Sequence, residues 1–131
     1  MATSYLRFVV LDIDEDSGCR QGLFAALGRL SRTDALFAHE QRAYDDTRRW
    51  FGRHLPVPTR FSRSTRKNPK AVAICWFKAG AGTHIANMRT LASILDAHGT
   101  HVQVLTTRNP GFVVYDDEFQ VAAEPFARSR L

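Results

Sequence analysis

The sequence predicts an α+β fold: an antiparallel sheet of about four strands packed against three helices. The sheet is the first strand plus a C-terminal three-strand meander. Three observations carry this. An apolar run sits near the amino terminus, helix-spaced stripes occupy the middle, and short alternating segments separated by tight turns fill the carboxyl end. With 131 residues the chain has room for one domain, 1–131, which buries roughly two thirds of its unfolded surface.

Residues 5–11 read as a strand that is apolar on both faces, Leu6, Phe8 and Val10 on one and Val9 and Leu11 on the other. Such a strand belongs in the middle of a sheet, covered on both sides. A helix is expected from Cys19 to Ser31, with Leu23, Phe24, Leu27 and Leu30 in one stripe and Asp16 or Ser17 as cap. A second runs from Asp34 to Leu55, stopped by Pro56 and Pro58. Segment 71–82 is readable either way. Ala71–Phe77 suits a short buried strand, yet Ile74, Phe77, Ala81, Ile85, Met88, Leu91 and Leu95 keep helical spacing through the glycines. A helix is expected from Thr83 to His98, ending at Gly99. Strands at His101–Thr107, Phe112–Tyr115 and Phe119–Ala123 follow, and their short connections argue for antiparallel pairing.

Charge is unevenly distributed along the chain. Residues 1–19 carry −3, residues 20–70 carry +8, and residues 71–131 are balanced, giving the net +5. The middle is therefore where an anionic partner would bind. Within it, residues 58–70 hold Arg60, Arg63, Arg66, Lys67 and Lys70, four hydroxyl side chains, Phe61 and no acid. Guanidinium forks bind phosphate, hydroxyls donate, and a Phe can stack on a base, so this segment is the candidate contact with nucleic acid or another polyanion. His39, Arg42, Arg49 and Arg53 can extend the basic surface along the second helix, although Asp45 and Asp46 pair part of that charge locally.

A second cluster is acidic. Asp12, Asp14 and Asp16 alternate after the first strand, where they could present oxygen ligands to a hard cation, joined by Asp116, Asp117, Glu118 and Glu124 if the strands are adjacent. The simpler reading is that Asp14, Glu15 and Asp16, just before the first helix, complement its dipole. The calcium-loop pattern does not fit, because Gly18 falls one place late and Leu23 stands where a bidentate Glu is needed. The acidic strand end resembles the haloacid-dehalogenase phosphotransferases, whose first strand ends in Asp-x-Asp. That resemblance implies Asp12 as nucleophile, Asp14 as general acid, Thr106 as phosphate ligand and Asp116 as metal ligand. It stops at the topology: four residues, 108–111, join two strands that the family's parallel sheet would separate by about a dozen.

The remaining motifs are weaker. Lys78 to His84, Lys-Ala-Gly-Ala-Gly-Thr-His, lacks the spacing of a phosphate-binding loop. His39, His54, His84, His98 and His101 show no ligand spacing, Cys75 reads as a small core residue, and Trp50 and Trp76 as core or interface. Two cysteines make no disulfide framework, no apolar run reaches a membrane span, and no secretory leader is visible, so a cytoplasmic protein without a cofactor is expected. Residues 7–18, 58–63 and 114–126 resemble segments of small bacterial proteins, which implies a bacterial source and brings no activity with it. The balance favours a non-catalytic binding module for nucleic acid or a polyanion. The alternatives are a metal-assisted phosphoryl hydrolase or nuclease built on Asp12, Asp14 and Asp16, and a protein-interaction or self-associating domain.

Overall fold

The computed structural model describes residues 3–13, 18–57 and 73–126. Along the chain these form β1 (Tyr5–Ile13), β2 (Arg20–Gly22), α1 (Leu23–Arg32), α2 (Ala38–His54), β3 (Ile74–Lys78), α3 (Gly82–Ala97), β4 (Gln103–Thr107), β5 (Phe112–Asp116) and β6 (Gln120–Glu124). The mixed helix and strand class agrees with the sequence, but six strands form among the described residues rather than about four. The two extra strands are those that local pattern hides. β2 is three residues long, too short to show a period, and its pairing with β1 delays the start of α1 from Cys19 to Leu23. In β3, strand pairing prevails over the helical spacing of 71–82, and the helical continuation begins only at Gly82. The second helix starts at Ala38 rather than Asp34, because Asp34 takes a left-handed backbone with φ of 60° after α1.

β1 is the hub of the sheet. Tyr5 to Val9 pair with Thr107 to Gln103 of β4 along one edge. On the opposite edge Tyr5 and Leu6 pair with Lys78 and Phe77 of β3, and farther along Val9 and Ile13 pair with Gly22 and Arg20 of β2. β3 then pairs with β6, and β6 with β5. Every pairing is antiparallel, which leaves no place for the parallel sheet of the haloacid-dehalogenase type.

The C-terminal meander is therefore incorrect in one respect. β5 and β6 are hydrogen-bonded neighbours, but β4 joins β1, so β4 and β5 stand at opposite ends of the row β4-β1-β3-β6-β5. A short connection limits how far apart two strand ends lie; it does not dictate their hydrogen-bond partners. Five Cα steps from Thr107 to Phe112 reach at most about 18 Å, whereas four interstrand spacings in a flat sheet need about 19 Å. The sheet must curl to bring its two edges together. Side-chain packing agrees, since Leu105 of β4 and Val113 of β5 both pack on the cluster of Cys19, Ile74, Trp76 and Val121 inside the curl. Gly111 permits the crossing: its φ is 125°, and a Cβ there would lie 2.3 Å from the Glu124 carbonyl oxygen.

The curl divides the interior in two. One sheet face lines the inner cluster around Trp76. The other carries Phe8 and Val10 against Leu23, Leu27, Tyr44, Phe51, Met88, Leu91 and Leu95 from the three helices. This accounts for the apolar residues on both faces of β1 as far as Val10. The expected cover does not reach the strand's far end, where Leu11 and Ile13 are exposed because β1 runs on past its β3 and β4 partners. No helix is long and apolar enough to cross a membrane among the described residues.

Candidate functional site

The second helix presents a basic stripe. At about 100° per residue, Arg42, Arg49 and Arg53 fall within about 40° of one another, with His39 beside them, and all four are exposed. Arg49 Nη2 lies 3.1 Å from Asp46 Oδ1, so part of its charge is met locally, as the sequence suggested. Arg48 is turned onto the Tyr44 ring, 5.2 Å from its centroid. Arg42 and Arg53 form no ion pair among the described residues. The stripe runs toward Pro56 and Val57, where segment 58–70 begins. Arg60, Arg63, Arg66, Lys67 and Lys70 lie outside the described residues.

The acidic candidates are scattered. Asp12 Oδ2 accepts from Arg29 Nη1 at 3.3 Å on an exposed surface, while Asp14 and Asp16 lie outside the described residues. Asp116 is 2.5 Å from Lys78 Nζ, so the lysine of the glycine-containing turn is occupied by a strand-end carboxylate. Asp117 organises the turn into β6, accepting from the backbone N–H of Phe119 at 2.8 Å and of Gln120 at 3.0 Å. Among the described residues no three His, Cys, Asp or Glu side chains are grouped to hold a metal ion. The histidines join structural elements instead. His84 Nε2 lies 2.8 Å from the His54 carbonyl oxygen, and His98 Nε2 lies 2.8 Å from Glu40 Oε1.

A pocket of about 420 Å³ was not foreseen from the sequence. It opens on the helical side of the sheet where β1 and β3 diverge after only two paired residues. The rings of Phe8, Phe24, Phe51 and Phe77 bound it, with Leu23, Leu55 and Met88. Its polar members are Arg7, Cys75 and Gln120. Gln120 Nε2 donates to the Pro56 carbonyl oxygen at 2.5 Å, tying the chain after α2 to β6 beside the pocket.

Cys75 departs from its expected place in the core. It is exposed, because on β3 it shares a face with Phe77 and looks into the pocket, while its neighbours Ile74 and Trp76 fill the inner cluster. The surrounding apolar walls push its thiol pKa up, against a smaller opposing pull from Arg7. The alternation of Cys75 and Phe77 against Ile74 and Trp76 was visible in the sequence. What was missing was the divergence of β1 from β3, which no local pattern encodes. Comparison with family models, with curated proteins and with solved structures finds no match for this chain.

Proposed function

We propose that this protein is a small, non-catalytic binding module for nucleic acid or a similar polyanion, contacted by the basic segment 58–70 and the arginine stripe of α2. The observation that carries this reading is the alignment of Arg42, Arg49 and Arg53 on one exposed helix face, leading to the residue where that segment starts. From Arg42 to Arg53 the helix rises about 16 Å, a length that follows several phosphates of a strand. Arginine suits the task because its planar fork meets phosphate oxygens in pairs and keeps its charge at every working pH. Phe61 supplies the segment with a ring for base stacking. Neither cysteine is in a disulfide, which fits action in a reducing compartment.

Charge reversal tests the stripe. The triple change Arg42→Glu, Arg49→Glu and Arg53→Glu lies on exposed positions and leaves the core untouched. It is expected to abolish binding of a single-stranded oligonucleotide that the unaltered protein retains, with melting preserved. Heparin competing as well as the oligonucleotide would assign the site to polyanions in general. Undiminished binding by the triple variant would remove the stripe from the site.

A further inference from the structure

We propose that Phe37 and His39 form a stacking platform for an unpaired base at the amino end of the α2 stripe, so that the polyanion bound there is single-stranded nucleic acid. The inference rests on the polyanion reading of that stripe and narrows its ligand. Phe37 is 67% exposed, more than any other Phe, Tyr or Trp among the described residues, whereas Tyr44 and Phe51 of the same helix are buried. Its ring is therefore not part of the core. Its backbone is nevertheless fixed: the Phe37 N–H donates to Glu40 Oε1 at 2.9 Å, and its carbonyl oxygen accepts the Gln41 N–H at 2.9 Å. A ring presented from a rigid point loses little freedom when a ligand covers it. The planes of Phe37 and His39 are parallel to within 3°, with centroids 6.1 Å apart, so a base lying flat on one is also parallel to the other. His39 stands three residues before Arg42, which makes their side chains neighbours on the helix surface, and Arg49 and Arg53 follow along the same stripe. Flat rings beside a row of guanidinium groups are the complement of a chain that alternates base and phosphate. A duplex keeps its base faces inside the stack, and a sulfated sugar chain has no aromatic face, so neither can use Phe37. No other exposed large apolar side chain lies on α2, so Phe37 belongs to no wide apolar patch on that helix for a protein partner to cover.

The probes are a labelled oligothymidylate and an abasic strand of equal length, which carries the same phosphates without bases, each titrated with the full chain and followed by anisotropy. The unaltered protein is expected to bind the oligothymidylate about tenfold more tightly than the abasic strand. Phe37→Ala is expected to erase most of that difference while leaving the abasic affinity and the salt slope as they were, because it removes no charge. Phe37→Trp is expected to keep the difference. Should the alanine variant fail to fold, photocrosslinking of a 5-iodouridine strand to the unaltered protein gives the same information, with the adduct expected on Phe37 or His39. Equal affinity for the two strands, a Phe37→Ala variant that keeps their difference or weakens both alike, or an adduct found only elsewhere would each overturn the platform and leave the arginine stripe in place. Failure of both strands to bind at low salt would overturn the platform and the polyanion reading together.

Discussion

The imidazole Nε2 of His98 lies 2.8 Å from Oε1 of Glu40, joining the C-cap of α3 to the first turn of α2. The same carboxylate oxygen accepts the backbone N–H of Phe37 at 2.9 Å, satisfying one of the donors left open at the start of α2. The hydrogen bond from His98, followed by that from Phe37, holds the Glu40 pKa below the ordinary glutamate value. A depressed carboxylate pKa adds stability above the unfolded pKa, and that stability is lost as pH falls through the folded value. Denaturant midpoints of the unaltered protein are therefore expected to drop between about pH 5 and pH 3 more steeply than those of Glu40→Gln. Parallel pH profiles for the two proteins would contradict the linkage.

Tyr115 and Asp117 form a second coupled pair. The phenol oxygen donates to Asp117 Oδ2 at 2.7 Å, and this bond, ahead of burial, pushes the Tyr115 pKa up to about 12. Burial pushes Asp117 upward, but the bonds from Tyr115, Phe119 and Gln120 outweigh it and the net shift is downward. A phenol raised above its unfolded pKa contributes stability below that value and loses it as pH rises through the folded one. Ultraviolet titration is expected to show one tyrosine ionising near pH 12, returning toward the ordinary value of about 10 in Asp117→Asn.

Gly111 tests the crossing between the two sheet edges. Alanine there meets both an unfavourable φ of 125° and a Cβ 2.3 Å from the Glu124 carbonyl oxygen. Gly111→Ala is expected to cost at least about 1–3 kcal/mol in urea denaturation. The same change at Gly80, where a Cβ meets nothing within 4 Å, is expected to be near neutral.

Trp76 is buried inside the curl, and its indole Nε1 has no hydrogen-bond partner among the described residues. Trp76→Ala is expected to cost about 3–5 kcal/mol through the cavity it leaves. Trp76→Phe removes the unpaired donor along with some volume, so the relief of about 1–3 kcal/mol offsets much of the packing loss. Chemical denaturation of the two variants separates these effects.

The parts of the fold legible in the sequence were those set by local periodicity. The stripe of Met88, Leu91 and Leu95 gave α3 within one residue at each end, and the two-faced β1 was placed correctly at the centre. The segments that became β4, β5 and β6 were found, but not their order, because hydrogen-bond partners are settled by curvature across the whole sheet. For the same reason the sequence places Cys75 in a core and the structure does not: a residue in an apolar run looks buried until the neighbouring strand turns away. On α2 the partial pairing of Arg49 with Asp46 followed from three-residue spacing alone.

The measurement that tests the central claim most directly is fluorescence anisotropy of labelled single- and double-stranded oligonucleotides across a salt series, with magnesium or EDTA. The proposed function requires binding that is indifferent to EDTA, with log K falling linearly against log salt at a slope for about three to five phosphate contacts. No binding at low salt, or probe cleavage that requires magnesium, would contradict a non-catalytic polyanion-binding module.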